Sequence, residues 1–142
     1  MTDARELAAK GCRLVELTDI TAENGTLVVG QYPDQLPFSV ERIFTLLGVP
    51  HDEVRGTHAH RECHQFLICM AGSVSAVVDD GVDTDEVVLD RPSLGLYMPP
   101  LTWGKQYRYS PDAVLLVLAS HSYDASDYIH DYDEFIRLTT PA

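Results

Sequence analysis

The sequence has few basic residues. Ten Lys and Arg stand against 22 Asp and Glu, so the formal net charge is −12 at pH 7. A binding surface for nucleic acid or for an anionic membrane needs clustered positive charge. The composition therefore argues against both as partners. An anionic small molecule still fits this chain if some of its few arginines gather in one pocket.

Cysteine is also scarce. Cys12, Cys63 and Cys69 are an odd number of thiols without CxxC spacing. This pattern predicts reduced thiols in a cytoplasmic protein, and it argues against a disulfide framework or a zinc knot. The chain also lacks an apolar run near 18 residues and a charged-then-apolar leader after Met1, so we expect neither a membrane span nor a secretory signal.

The 142 residues predict one domain, 1–142, with a single core. About eight to ten short strand patterns are separated by turn signals, which is typical of an all-β barrel or double-sheet jelly roll, the class that includes cupins. Helix-like composition occurs only at the two ends, over Thr2–Lys10 and from Tyr128 to Ile136. The segment Asp19–Gly25 has the pattern of a polar turn, and Asn24-Gly25 is a hairpin signal.

The most informative stretch is Arg55–Gly81, RGTHAHRECHQFLICMAGSVSAVVDDG. It begins at a turn signal, continues as an apolar run and ends on a tight Asp-Asp-Gly turn. Side chains alternate along a strand, so His58 and His60 share one face. Two imidazoles beside an apolar wall indicate metal binding or proton transfer.

The spacing of the two histidines resembles the first cupin motif, in which His-x-His precedes a Glu and then a Gly. Here Gln65 stands at the Glu position, and Gly72 stands at the Gly position. The region of the second motif, Met98–Lys105, has no histidine. A stable divalent site needs three or four N, O or S ligands, so we expect no metal here.

Four segments carry a closer resemblance: the central stretch, then GLYMPPLTW, AVLLVLAS and SYDASDYIHDYDEF. Together they resemble the nucleotide-sugar 3,4-ketoisomerases, the dTDP-4-keto-6-deoxyglucose isomerases of the FdtA/QdtA type (WxcM-like cupins). The similarity extends roughly from Arg13 to Phe135.

This resemblance implies a metal-free and cofactor-free cupin jelly roll that forms a homodimer. It implies a dTDP-linked keto-deoxyhexose substrate, whose carbonyl moves from C4 to C3 through an enediol. The product would feed aminotransferases of deoxyamino-sugar biosynthesis. We expect the N-terminal strand arm, about 1–31, and within it Arg13–Gln31, to take part in the dimer interface.

The resemblance also implies roles for individual residues. His58 is the expected base for proton transfer between C3 and C4, and His60 is expected to position or protonate a sugar oxygen. The residues expected to bind the substrate are Arg42, Phe44, Arg55, Gln65, Trp103 and Tyr107.

Three positions depart from the family pattern. Phe44 stands where many members have tyrosine, so an aromatic ring is kept while a hydroxyl donor is lost. Gly104 replaces a larger polar residue, and Asn24 replaces Arg or Tyr. The latter two positions are tied to the face of C4 that receives the proton, so the configuration of the product stays open.

Two alternatives from other classes also stay open. One is a metal-dependent cupin oxygenase or isomerase that uses His58, His60 and His64. The other is a non-catalytic cupin that binds a nucleotide sugar, which the Phe44 and Gly104 departures would fit.

Overall fold

Eleven of the thirteen described strands form two antiparallel sheets that pack face to face. The fold is seen in a computed structural model that describes residues 3–141. The strands are β1 (Asp3–Glu6), β2 (Arg13–Glu16), β3 (Thr18–Ala22), β4 (Gly25–Val29), β5 (Arg42–Leu47), β6 (Arg55–His60), β7 (Gln65–Ala71), β8 (Val74–Asp79), β9 (Thr84–Leu89), β10 (Leu94–Met98), β11 (Trp103–Tyr107), β12 (Val114–Ala119) and β13 (Tyr128–Ile129). A short 3-10 helix (Ala125–Asp127) precedes β13, and the α-helix α1 (Tyr132–Thr139) follows it.

The six-stranded sheet has the order β1-β2-β10-β7-β12-β5, and the five-stranded sheet has the order β13-β6-β11-β8-β9. Strands β3 and β4 form a separate hairpin. Many neighbours in each sheet are distant in sequence, as in β2-β10-β7, which is the crossed connectivity of a jelly roll. The predicted all-β, cupin-type jelly roll is confirmed.

The main core lies between the two sheets and follows the alternation of side chains along each strand. In β7, Leu67 and Cys69 point into this core, whereas Phe66 and Ile68 lie in a second cluster on the outer face. The five strand residues from Gln65 to Cys69 are all buried. β7 is therefore covered on both faces, which holds the strand rigidly beside the histidines.

A third cluster covers the outer face of the five-stranded sheet. Ala59 of β6 and Trp103 of β11 pack there against Ile129 and Phe135. Helix α1 is capped at its N-terminus by Asp131, whose carboxylate accepts a hydrogen bond from the backbone N–H of Asp133. Because α1 lies behind β6, it supports the histidine strand from the side opposite the core.

Two of the expected elements near the N-terminus are wrong. The described part of the expected Thr2–Lys10 helix includes β1, in which Ala4 pairs with Val15 as part of an edge strand, so tertiary pairing prevails over helical propensity. Thr2 lies outside the described residues. Most of the expected Asp19–Gly25 turn is strand, because Thr18–Ala22 pairs with β4. The Asn24-Gly25 hairpin signal is confirmed, since the chain reverses there.

The C-terminal helix is confirmed, but it begins at Tyr132 and not at Tyr128. Tyr128 and Ile129 pair with His60 and Ala59 as a short strand. Among residues 3–141, no helix is long and apolar enough to cross a membrane.

Candidate active site

A cavity of about 190 Å³ opens between the two sheets beside the histidine strand. It is concave and mostly apolar with a few polar groups, which is the usual form of a small-molecule site. Its lining residues are Phe44, Thr45, Leu46, Arg55, Gly56, His58, Gln65, Leu67, Met98, Gln106 and Val117.

His58 and His60 lie side by side on the inner face of β6, as strand alternation predicts. Their ring centroids are 4.9 Å apart and the rings are nearly perpendicular, at 84°. The His58 ring lines the cavity, whereas His60 lies deeper and is only 4% exposed. The pair therefore offers one imidazole to a ligand in the cavity and a second one behind it.

A bulge in β6 brings Arg55 into the same cavity. Gly104 of β11 faces His58 and Gln106 faces Arg55, so β6 has one more residue than β11 over this interval. The extra residue is Gly56, whose φ of +71° suits glycine and whose missing Cβ leaves room for Gln106, since a Cβ would lie 2.2 Å from its Oε1. Without the bulge, alternation would turn Arg55 to the face opposite His58.

The six-stranded sheet supplies the facing wall. Phe44 of β5 and Gln65 of β7 line the cavity. Arg42 lies next to them, with its guanidinium carbon 5.3 Å from the centre of the Phe44 ring. It also donates a hydrogen bond of 3.4 Å to the Tyr128 hydroxyl on β13. Arg42 thus brings positive charge to the histidine side of the cavity.

The segment around β13 adds groups that the sequence analysis did not assign. The Asp127 carboxylate accepts a hydrogen bond of 2.9 Å from His60 Nδ1. The rings of Tyr128 and His130 lie 4.9 Å and 5.9 Å from the His58 ring. The helix-like spacing of this segment assigned Tyr128 to packing, and no short-range signal ties Asp127 to a histidine that is 67 residues away.

The environment keeps the histidines neutral near pH 7. Burial lowers the pKa of His58 to about 4, and the neighbouring His60, His130 and Arg42 contribute to the shift. Burial also lowers the pKa of His60, although the hydrogen bond to Asp127 partly offsets this effect. Neutral imidazoles have a nitrogen lone pair that can accept a proton.

Asp127 is held as a carboxylate in spite of its burial. Burial favours the neutral acid, but backbone N–H groups of Glu62 and Cys63 and the His60 ring lower the pKa of Asp127 on balance. The two N–H groups lie 2.7 Å and 3.3 Å from its oxygens. The site therefore contains a fixed negative charge behind the histidine pair.

Trp103 and Tyr107 lie on the outer face of β11, away from the cavity beside His58, and both line a second cavity there. Gly104 and Gln106 occupy the inner face, so alternation turns their neighbours away from the cavity. Trp103 packs on Phe135 of α1, and the Tyr107 hydroxyl donates to the Glu86 carboxylate. In this arrangement Trp103 supports β6 from behind and does not line the cavity beside His58.

His64 is also separated from the histidine pair. Its Nδ1 lies 2.7 Å from the Tyr97 hydroxyl, and its ring stacks on Tyr97 on the outer face of the six-stranded sheet. A metal site built from His58, His60 and His64 therefore does not form within this chain.

One group of three side chains in the described part of the chain has ligand atoms within 4.8 Å of one another, namely His60, Cys63 and Asp127. The carboxylate oxygens already accept hydrogen bonds from His60 Nδ1 and from two backbone N–H groups. The Cys63 thiol donates to the backbone carbonyl of His64. These bonds account for the cluster as a set of structural contacts.

Comparison with known families decides the relationship of the chain. The model of the family FdtA, described as "WxcM-like, C-terminal", matches residues 10–140. The chain belongs to this family. The resemblance that the four sequence segments predicted is thus confirmed over nearly the whole chain.

Relatives of this FdtA-family chain include named isomerases. It is 37% identical over 123 residues to the TDP-4-oxo-6-deoxy-alpha-D-glucose-3,4-oxoisomerase of Aneurinibacillus thermoaerophilus, covering 87% of this chain and 88% of the relative. The crystal structure of WlaRB, a TDP-quinovose 3,4-ketoisomerase of Campylobacter jejuni, is 37% identical with a TM-score of 0.86 and covers 90% of this chain and 98% of WlaRB.

A third similar protein was solved with a sugar nucleotide bound. A variant of the 3,4-ketoisomerase QdtA of Thermoanaerobacterium thermosaccharolyticum, in complex with TDP-4-keto-6-deoxyglucose, is 35% identical to this FdtA-family chain. Its TM-score is 0.88, and the match covers 92% of this chain and 94% of QdtA.

Proposed function

We propose that this protein is a sugar 3,4-ketoisomerase that converts dTDP-4-keto-6-deoxyglucose to a dTDP-3-keto-6-deoxyhexose for deoxyamino-sugar biosynthesis. The observation that carries the proposal is a neutral His58 on the wall of a cavity between the sheets, in a member of a family with named 3,4-ketoisomerases. No cofactor is needed, because the reaction moves protons and exchanges no electrons with a second molecule.

In the proposed reaction, the C4 ketone acidifies the proton on C3, and His58 removes it to give an enediolate. The same imidazole, now protonated, returns a proton to C4. One base can serve both carbons because they are adjacent, and general base catalysis of this kind contributes about 10²–10⁴-fold. His60, which lies behind His58, takes the proton from the O3 hydroxyl and returns it to O4.

The remaining polar groups bind the substrate in this proposal. Arg42 and Arg55 supply positive charge for the diphosphate or for the developing oxyanion. Gln65 supplies an amide that can donate to a sugar oxygen, and Phe44 supplies an apolar ring wall. A chain with only ten basic residues thus places two of them around one cavity.

We also propose a homodimer of single-domain chains, 1–142, in which the segment Arg13–Gln31 lies at the interface. The β3–β4 hairpin leaves Ile20 and Leu27 54% and 59% exposed. An apolar groove of about 160 Å³ lies beside it, lined in part by Val28 and Met70. Exposed apolar surface of this kind favours a second protein surface. Light scattering at micromolar concentration should give twice the chain mass, and a monomer would contradict this proposal.

The three thiols are buried and unpaired, which is consistent with the cytoplasmic location that we propose.

The decisive test of the enzyme is an NMR time course with dTDP-4-keto-6-deoxyglucose in D₂O. We expect deuterium exchange at C3 and appearance of the 3-keto isomer, with an enzyme-free sample as the control. Binding without exchange or isomerisation would instead support the non-catalytic cupin.

A further inference from the structure

The hydrogen bond between His60 and Asp127 is largely shielded from solvent. The side chains are 5% and 12% exposed, and His60 Nδ1 lies 2.9 Å from Asp127 Oδ2. An ionised carboxylate only accepts hydrogen bonds, so the imidazole must donate from Nδ1. The contact therefore selects the tautomer of neutral His60 that has its hydrogen on Nδ1 and a lone pair on Nε2.

The backbone that carries Asp127 is fixed to the histidine strand. Arg61 N–H donates to the Asp127 carbonyl at 2.9 Å. The Arg61 guanidinium donates to the carbonyls of Ser126 and Tyr128, on either side of Asp127, at 3.0 Å and 2.9 Å. With the two N–H groups that bind its carboxylate, Asp127 has little freedom to move away from His60.

The other ring nitrogen of His60 has no partner. Nε2 is buried, and among the contacts within residues 3–141 no hydrogen bond satisfies it. Buried polar atoms without partners are rare in folded proteins, and a catalytic role is one of the reasons for which they are retained. A lone pair on a neutral ring, next to His58 and close to Arg42, is suited to a hydroxyl of a bound sugar.

From these contacts we infer that Asp127 is a positioning residue of the isomerase, which fixes His60 in the tautomer that leaves Nε2 unprotonated for its work on the sugar oxygens. This inference rests on the proposed function. The bonds that break and form in the substrate balance without any other reactant. The C3–H bond breaks and the C4–H bond forms at His58, while the O3–H bond breaks and the O4–H bond forms at His60. Asp127 stabilises the imidazolium that exists between the two oxygen steps, and both histidines end unchanged.

The first test is the tautomer of His60 in the unliganded protein, measured by ¹⁵N NMR of histidine-labelled enzyme. We expect a protonated Nδ1 and an unprotonated Nε2 in the native protein. In Asp127→Asn the side-chain amide can donate to Nδ1, so a population with hydrogen on Nε2 should appear. A native His60 with hydrogen on Nε2 would overturn the inference without any variant.

The second test separates the two proton transfers. Asp127→Asn should lower turnover by about 10²-fold, the lower end of the range for lost acid–base catalysis. Exchange of the C3 proton should stay near the native rate, because His58 is unchanged. The matched control is Asp124→Asn, which replaces the carboxylate that caps the 3-10 helix Ala125–Asp127. It should keep native turnover, since asparagine also caps.

In Asp127→Asn, turnover and C3 exchange could fall by the same factor while the His60 tautomer stays unaltered. That result would show that Asp127 has only a structural role and would overturn the inference. Native turnover in this variant would overturn the inference directly. An inactive native enzyme would instead overturn the proposed function, so the two failures are distinguishable.

Discussion

Arg42 joins the edges of the two sheets, because it donates a 3.4 Å hydrogen bond from β5 to the hydroxyl of Tyr128 on β13. β5 is the last strand of one sheet and β13 is the first strand of the other. The contact lies beside the histidine pair, since the Tyr128 ring is 4.4 Å from His60 and 4.9 Å from His58. Arg42 therefore connects the two sheets at this end of the cavity and also brings positive charge close to the histidine pair.

We expect Arg42→Ala to lower kcat/KM by about 10–10²-fold, the equivalent of one hydrogen bond to a charged group. Tyr128→Phe removes only the hydroxyl that Arg42 contacts and keeps the ring beside the histidines. Its loss should be smaller, because the guanidinium remains available to the substrate. Steady-state kinetics of both variants test this order, and native kcat/KM in Arg42→Ala would contradict the binding role.

His58→Asn should abolish both turnover and deuterium exchange at C3 while the substrate still binds. The expected loss is about 10²–10⁴-fold, the scale for removing a general base. His60→Asn should slow turnover but retain some C3 exchange, because His58 remains in place. Exchange at a near-native rate in His58→Asn would make His60 the leading candidate for the base.

The low pKa of His58 predicts a loss of stability toward acid pH. Above its ordinary pKa of 6.5 both folded and unfolded states are neutral at this residue, so it contributes no pH dependence. Between pH 6.5 and about 4 the unfolded chain binds a proton that the folded protein excludes. The free energy of unfolding should therefore fall by up to about 3 kcal/mol over this window.

Urea unfolding at pH 7 and pH 5 measures this effect, and His58→Asn is its control. The buried His60 titrates in the same direction, whereas Asp127, with a pKa below 3.8, contributes only at lower pH. The variant should lose less stability on acidification than the native protein does. An identical loss in both proteins would show that His58 does not titrate as its burial implies.

Excess EDTA should leave turnover unchanged. Gln65 replaces a carboxylate ligand of the cupin motif, and the His64 ring contacts Tyr97 on the other side of the sheet. We therefore expect no metal centre of the cupin-motif type that a chelator could remove. Loss of activity on chelation, restored by a stoichiometric transition metal, would contradict this reading and revive the metal-dependent alternative.

Features of short sequence range were predictable from the residues. The alternation in β6 and β7, the Asn24-Gly25 turn and the shared face of His58 and His60 depend on neighbours a few positions apart. The face on which Trp103 lies was not predictable from its motif, because the motif does not define where the strand begins. Once β11 begins at Trp103, alternation turns that ring outward and Gly104 inward.

Other features depend on pairs that no local pattern connects. β1 is a strand because it pairs with β2. The bulge at Gly56 exists only in the pairing of β6 with β11. The bond from His60 to Asp127 spans 67 residues. A helix-like pattern around Tyr128 also masked a two-residue strand, which is too short to leave a periodic signal of its own.

The 67-residue separation between His60 and Asp127 has a consequence for the order in which the site forms during synthesis. Synthesis proceeds from the N-terminus, so the histidine strand leaves the ribosome well before the segment that carries Asp127 and Tyr128. Until that segment docks, β6 is an open edge and His60 has no carboxylate partner. In the proposed mechanism the protein therefore becomes active only after this C-terminal segment has docked on β6.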